Sequence, residues 1–465
     1  MVNKLQTMKD RVVKVEIAPK AERDVTGKGG LVLAQAAARM LRLYSQAHKI
    51  LPKRKDPTQG FSTVHYLTTL IHGLLSGGQG FCATEAMRED TPLLKMLGVS
   101  GAPSAETIEG ITKYLALNAD GITALNALLR FEAGGGIERD DHRALRSCYG
   151  FVPSWTDGTL LEVTGKNFDS IKYKDNQKGQ MCTAAFIGPW LVGLDFAGEG
   201  KGEGEETHGR RLLQQGIVDV ARRQGLMSQL LLLLDSLYGD GPTLDEIEKI
   251  KEKPSYIIGL NKLKEAVKIM QAMSEPEWHN TGAQPSRGWE ASGVASAWIE
   301  CEGWKHKRLM ICSRFRRTGE MIWNYAAVTT DLTEKHERVA ALMEQHRKRF
   351  EEIIWMLYSY KQGMENQWKD LLSGMGLHHP PCAKAAVNAV FYAVAGLAYN
   401  LSVAVRRLAL ENEAKHMQLW NLRRSLFDLP ARVANHAGEA IAHILDARDR
   451  LVEQLAAGME RLAIT

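Results

Sequence analysis

Cysteine is scarce in this chain and unpatterned. The six thiols among 465 residues, Cys82, Cys148, Cys182, Cys301, Cys312 and Cys382, form no CxxC pair and keep no regular spacing. Neither a zinc module nor a disulfide framework is signalled, and a reducing, intracellular setting is expected. An apolar leader is missing too: residues 1–24 mix Lys, Asp, Arg and Glu, so no secretory signal is expected. Strong charge bias is absent, with 59 Lys+Arg against 54 Asp+Glu and a net charge of +5. This excludes a histone-like polycation but permits a basic groove on a balanced surface. No internal repeat sets solenoids and propellers aside. The phosphate-loop pattern GxxxxGK[ST] is lacking as well. The run at 198–204, GEGKGEG, is rich in glycine but acidic, so it reads as a flexible connection and ATP dependence is not expected.

What is present is enough apolar sequence, 45%, for real cores, and a length that predicts about three domains at roughly 150 residues each. Residues 1–136 read as a small helical domain: 31–50, 65–75 and 115–129 show helical apolar periodicity, and Ser104 is placed to cap a helix with acidic side chains in its first turn. Gly134-Gly135-Gly136 reads as a flexible joint closing that domain. Strand-like segments follow at 157–164, 181–187 and 190–196, as an antiparallel meander, and then strands alternate with helices. The run Leu230 to Leu234 has the character of a strand buried on both faces. Residues 262–331 turn rich in tryptophan, glycine and short alternating segments. A single helix is expected from about 333 past 365, and 383–465 is expected to be helical throughout. The long apolar stretch 385–405 carries Asn388, Asn400, Tyr392 and Tyr399, so it reads as a buried helix of a globular domain and no membrane span is expected. His378 and His379 have no second His/Cys cluster to join, and the prolines after them are placed to end a helix.

Asp157 lies in the first strand, and Asp235 closes the five-leucine run. A carboxylate at the end of a buried strand is costly unless solvated, paired or bound to a cation, which makes Asp235 the most informative residue in the chain. The plainer reading of Asp235 is that it starts a turn, since Ser236 to Gly241 follow. On one continuous helix, Phe350, Ile353, Ile354, Leu357, Met364, Trp368 and Leu371 form an apolar stripe with Glu365 at its edge. Glu351 and Glu352 compete with Glu365 for the role of third acid. Three carboxylates from two strands and a late helix make an oxygen-rich site suited to Mg²⁺ or Mn²⁺. Two such ions about 4 Å apart serve in-line phosphoryl displacement.

At Asp157-Gly158-Thr159, at Leu234-Asp235-Ser236 with Gly239, at 256–260, at 325–332 and around Glu365, the chain resembles the transposases of bacterial insertion sequences. These carry an Asp-Asp-Glu triad on a ribonuclease-H-like fold, and the branch in question has a β insertion before the glutamate. Its signature is Tyr, two residues, Arg, three residues, Glu, six residues, Lys. Tyr358, Lys361 and Glu365 keep that spacing, but lysine replaces the arginine, and Leu372 stands where the last lysine belongs, with Lys369 one turn earlier. Lysine binds phosphate without arginine's rigid fork, so the departure bears on phosphate grip and not on metal binding. The 129 residues between Asp235 and Glu365 independently support an insertion.

The resemblance implies an α+β, mixed fold: a ribonuclease-H-like mixed sheet with helices, a β-rich insertion, and helical N- and C-terminal regions. The expected division is a helical DNA-binding domain at 1–136, a first catalytic part at 137–261, the insertion at 262–331, the catalytic helix at 332–382 and a C-terminal helical region at 383–465. The implied activity is cleavage of double-stranded DNA at mobile-element ends and joining of the 3′-hydroxyl to target DNA. Asp157, Asp235 and Glu365 would hold two Mg²⁺ or Mn²⁺ ions, with Tyr358, Lys361 and Lys369 positioning the scissile strand. A homodimer in the synaptic complex and a bacterial cytoplasmic, nucleoid-associated location are expected, with no membrane and no ATP. In the insertion, alternation puts Arg308, Arg314 and Arg316 on one face of a strand. With Lys305, Lys307 and Arg317 they are expected to face DNA, while Trp298 and Trp304 are expected to stack an unpaired base, as an aromatic in the insertion does in this branch. Two rivals remain open: a nuclease that cuts without joining, and a non-catalytic DNA-binding relative.

Overall fold

A computed structural model describes residues 24–53, 60–117, 121–174, 176–197, 205–260, 264–436, 439–445 and 448–464. The run at 198–204 and the residues before 24 lie outside them. Among the described residues ten strands form one sheet: β2 (Val152–Glu162), β3 (Ile171–Lys174), β4 (Gln177–Ile187), β5 (Trp190–Phe196), β6 (Leu230–Leu234), β7 (Ser255–Gly259), β8 (His279–Asn280), β9 (Trp289–Ile299), β10 (Arg308–Arg317) and β11 (Asn324–Thr330). Their order is β3-β4-β2-β6-β7-β11-β10-β9-β8, with β5 also against β4. The centre, β2-β6-β7, is parallel, and every other pairing is antiparallel. The tryptophan-rich insertion therefore extends the main sheet: β11 pairs with β7 through Val328↔Gly259 and Thr329↔Ile258.

The five leucines of β6 are all buried, and strand alternation divides them between two cores. Leu230, Leu232 and Leu234 join a large core that runs through the N-terminal helices, one face of the sheet and the helix Ala385–Ala404. Leu231 and Leu233 join a smaller core on the other face with Ile257, Ile311, Val328, Ile353 and Leu357. No charged residue interrupts β6 because neither face meets water.

Four expectations are corrected. Gly134-Gly135-Gly136 is no joint; it lies inside the helix Gly121–Arg139, where a Cβ at Gly136 would overlap the Trp190 ring. The single helix expected from 333 past 365 is three: Glu337–His346, Phe350–Ser359 and Gln362–Met375. The first break falls at Arg347, in the left-handed region at φ 51°. Residues 383–465 are not helical throughout, because β12 (Ala431–His436) and β13 (Glu439–Ile444) form a small sheet with β1 (Val25–Thr26), in the order β1-β12-β13. The single face drawn from Phe350 to Leu371 is also split: Phe350, Ile353, Ile354 and Leu357 enter the smaller core, and Trp368 and Leu371 the larger.

The apolar stretch forms the helix Ala385–Ala404, long and apolar enough to cross a membrane by length and composition, with 94% of its most apolar window buried inside the protein. Its polar residues have a structural use. The Asn400 side chain donates to Leu191 O and accepts from Leu191 N, both at 2.9 Å, and Asn126 does the same for Leu194, also at 2.9 Å. Two amide side chains thus satisfy backbone groups that β5 leaves unpaired, an otherwise costly edge in an apolar interior.

Candidate active site

Pairing between β2 and β6 fixes the positions of the two aspartates. The parallel register matches Val152 with Leu230 and Ser154 with Leu232. Continued at the same offset, it sets Asp157 beside Asp235, one residue past the end of β6. Neighbouring strands lie about 4.8 Å apart, so two half-buried carboxylates share one end of the parallel core. Asp235 accepts from the Leu237 amide at 2.8 Å, capping the turn Ser236–Tyr238, and the Asp157 carboxylate accepts from the Gly158 amide at 2.9 Å. The turn-starting role of Asp235 is therefore real and coexists with its place beside Asp157.

Tyr358 closes this end. Its hydroxyl donates to the Leu234 carbonyl at 3.1 Å. Burial, and then the charges of Asp235 and Asp157, push its phenol far above the usual tyrosine range, so it remains a neutral donor next to two acids. Gly259 on β7 leaves the space: a Cβ there would sit 2.9 Å from both Tyr358 Oη and the Ser236 amide.

A cleft of about 680 Å³ opens from this point, lined by Asp157, Tyr358, Lys361 and Glu365 on one side and by Trp289 and Phe315 of the insertion on the other. The three candidate glutamates differ sharply. Glu351 is buried, accepts from Ser296 Oγ at 3.0 Å and meets Arg349 at 3.6 Å. Glu352 lines the cleft but is held by Lys348 at 2.8 Å and by the Arg349 amide at 3.2 Å. Glu365 is exposed on the cleft wall and makes no hydrogen bond or ion pair among the described residues. Lys361 shares the cleft, whereas Lys369 is exposed on the same helix without lining it, and Leu372 packs against the large core. Among the described residues no three His, Cys, Asp or Glu side chains are gathered closely enough to hold a metal ion between them. The donor set is nonetheless hard oxygen, which suits a divalent cation, with two aspartates adjacent and Glu365 lining the same cleft as Asp157.

The family described as "Transposase DDE domain group 1" matches residues 201–459, more than half of the chain. The chain is a DDE transposase. The matched span contains Asp235 and Glu365 and begins after Asp157. Such domains generally use a divalent metal. No curated protein matches the chain. Among solved structures it is similar to a piggyBac transposase synaptic complex with hairpin DNA, determined by cryo-electron microscopy, at 10% identity and a TM-score of 0.39, covering 86% of this chain and 80% of that one.

The insertion of the transposase places its cations differently from the alternation argument. Arg308, 3% exposed, is bound by Glu248 through two bonds of 2.8 Å and by Asp245 at 3.0 Å, with its guanidinium 4.9 Å over the ring of buried Trp304. Arg314 is buried too, bidentate to Glu275 at 2.8 and 2.6 Å and stacked near Trp278 and Trp323. Neither arginine, nor Trp304, is open to solvent: alternation assigned the face, but that face packs on the helix Gly241–Glu248 and the turn Glu275–Glu277. Lys305 pairs with Asp245 at 2.7 Å, Lys307 with Glu300 at 3.8 Å and Arg316 with Glu290 at 2.7 Å. Arg317 is exposed with no side-chain partner among the described residues, and Trp298 is 67% exposed away from the cleft. The aromatic that does reach the cleft is Trp289, stacked on Phe315 at 4.4 Å with Arg287 5.1 Å over its ring. The β9–β10 register, which pairs Trp289 with Arg317, carries that information, and strand alternation alone does not.

Proposed function

We propose that this transposase cleaves double-stranded DNA at the ends of its mobile element and joins the freed 3′-hydroxyl to target DNA, with Asp157, Asp235 and Glu365 as its acids. The observation that carries the reading is the parallel register that sets Asp235 beside Asp157, which lines a cleft shared with a Glu365 side chain unpaired among the described residues. Mg²⁺ or Mn²⁺, two ions by this reading, would sit on these carboxylates and supply the positive charge that offsets developing oxyanions in phosphoryl transfer. The chain's own groups do the rest. Tyr358, protonated and anchored on Leu234, fixes the strand end that carries Asp235. Lys361 offers a point charge to a phosphate oxygen, with Lys369 a turn further along. Trp289, at the cleft, is the indole placed to stack an unpaired base, and exposed Arg317 is the insertion cation open to backbone phosphates. Recognition of two element ends calls for a homodimer. A bacterial cytoplasmic, nucleoid-associated location belongs to this reading, and the six free cysteines fit a reducing compartment.

The test is a cleavage and joining assay on supercoiled DNA carrying the native flanks, with Mg²⁺ or Mn²⁺. Breaks and joined products in the parent, lost in Asp157→Ala, Asp235→Ala and Glu365→Ala, are expected. Breaks that survive Glu365→Ala would remove it as third acid. A second reading, cleavage without joining, is favoured by Leu372, which packs into the core where the signature carries a lysine; breaks without joined products would select it. DNA binding with no breaks would select a non-catalytic relative.

A further inference from the structure

A second cleft, of about 470 Å³, lies between the helices Val32–Met40, Gly121–Arg139 and Asp219–Arg223, and its lining is dominated by guanidinium groups: Arg42, Arg130, Arg139 and Arg223, against Glu138 alone. None of these residues belongs to the catalytic cleft. Gln224 on its rim leads into β6, whose far end carries Asp235, so the two clefts open toward opposite ends of a strand of about 17 Å.

Most of these guanidinium groups have no side-chain ion-pair partner among the described residues. The Arg130 side chain is half-buried and, like that of Arg42, makes no hydrogen bond or ion pair among the described residues. Arg223 bonds only the Asp219 carbonyl, at 3.1 Å. Arg139 is tied to Gly135 O at 3.0 Å and Glu138 at 3.4 Å, yet its Nε is buried without a partner. Burial and the like charge of Arg223 both disfavour the Arg130 cation, and Asp219 offsets them only in part. Arginine keeps its charge under such conditions, so the repulsion persists until an anion enters. The glycine run supplies the floor: Gly134 and Gly135 line the cleft without side chains, and a Cβ on Gly134 would lie 3.2 Å from Gln224 Nε2. A bare helix face ringed by planar donors is a shape for phosphate oxygens, which guanidinium groups bind in bidentate fashion.

We propose that this cleft is a second phosphate-binding site, occupied by backbone phosphates of DNA that runs beyond the catalytic cleft. The choice of DNA as the phosphate source rests on the transposase reading, whereas the affinity for phosphate rests on the cleft alone. Contacts of this kind carry no sequence information and set the path of the flanking duplex.

The experiment measures fluorescence anisotropy of the full chain on a labelled duplex longer than the catalytic cleft, over a salt series. It compares the parent with Arg130→Gln/Arg223→Gln; inorganic pyrophosphate is added separately in a melting experiment. Each lost phosphate contact makes the log–log salt slope about 0.9 shallower, so the double variant is expected to be about 1.8 shallower, losing ~12-fold less affinity than the parent between 50 and 200 mM salt. Pyrophosphate is expected to raise the melting temperature of the parent and not of the double variant. An unchanged slope together with equal pyrophosphate stabilisation overturns the site. An unchanged slope with pyrophosphate stabilisation lost in the variant overturns DNA as the source and keeps phosphate as the ligand. A parent that binds no duplex overturns the transposase reading instead, and the pyrophosphate arm still judges the cleft. Should the double variant melt well below the parent, exposed Arg42→Gln carries the same test with a change of about 0.9.

Discussion

Glu132 sets a measurable slope on the stability of this fold. It is fully buried between the N-terminal helices and the helix Ala385–Ala404, and neither carboxyl oxygen has a hydrogen-bond partner among the described residues. The nearby Asn400 amide is committed to Leu191. Burial therefore lifts the Glu132 carboxyl well above its ordinary 4.5, a rise that the Asn400 amide beside it offsets only in part. Because the folded state binds a proton that the unfolded state releases, stability falls as pH rises from about 4.5 through the folded pKa, by about 1.4 kcal/mol per pH unit. His72 opposes this. Its buried imidazole is lowered from 6.5 to about 4, so its contribution is present above 6.5 and lost as pH falls toward 4. The two slopes have opposite signs in the parent. Glu132→Gln removes one of them: urea denaturation across pH 4 to 8 should find the variant more stable than the parent at pH 7 by about 1–3 kcal/mol, and losing stability on acidification below 6.5. The difference curve between variant and parent isolates Glu132 from other titrating groups. A flat difference curve, or a variant less stable at pH 7, would refute the claim that Glu132 is buried as a neutral acid.

Gly259→Ala brings a methyl within 2.9 Å of Tyr358 Oη and the Ser236 amide, so thermal unfolding should show a loss of about 1–3 kcal/mol and the cleavage assay a marked drop, while Gly225→Ala, where a Cβ meets nothing within 4 Å, strains only its positive φ and should spare cleavage. Arg308→Met leaves Asp245 and Glu248 without their buried partner and should cost about 3–5 kcal/mol in denaturant titration with no change in the salt dependence of DNA binding. Arg317→Gln is expected to do the reverse, leaving stability within about 0.5 kcal/mol of the parent and making the salt slope about 0.9 shallower.

Several strands of the central sheet were legible in the sequence because β6 is pure leucine and β2, β4 and β5 keep short apolar runs between turn residues. Asp235 was legible for the same reason: a charge directly after five buried leucines has few bland explanations. The glycine triplet misled because glycine marks both flexibility and close packing, and only the Trp190 ring across the helix tells which. The arginines of β10 misled differently. Period-two alternation sorts side chains between faces correctly, but it is silent on what covers each face, and here a helix bearing Asp245 and Glu248 covers the cationic one. Trp289 was hidden because its place at the cleft depends on the register of β9 against β10, a non-local quantity.

The spacing of Tyr358, Lys361 and Glu365 survives a break that helical phase did not foresee, and the two cores explain why the break is there. The helix Phe350–Ser359 is held by apolar side chains that enter the smaller core, and the helix Gln362–Met375 by Trp368, Leu371 and Met375 in the larger one. A straight helix presents one stripe and serves one core, so a chain that must bury residues on both faces of a sheet has to turn between them. The turn falls at Tyr360 and Lys361, directly after the tyrosine anchored on Leu234 and four residues before Glu365. Glu365 is thus placed by the angle between two helices, each fixed by a different core. Its distance from Asp157 and Asp235 then responds to packing changes in either core, even where no mutated side chain touches the cleft. Trimming Leu357 or Leu371 to alanine tests this: each is fully buried, each should cost about 2–5 kcal/mol, and each should lower cleavage at temperatures where the variant remains folded.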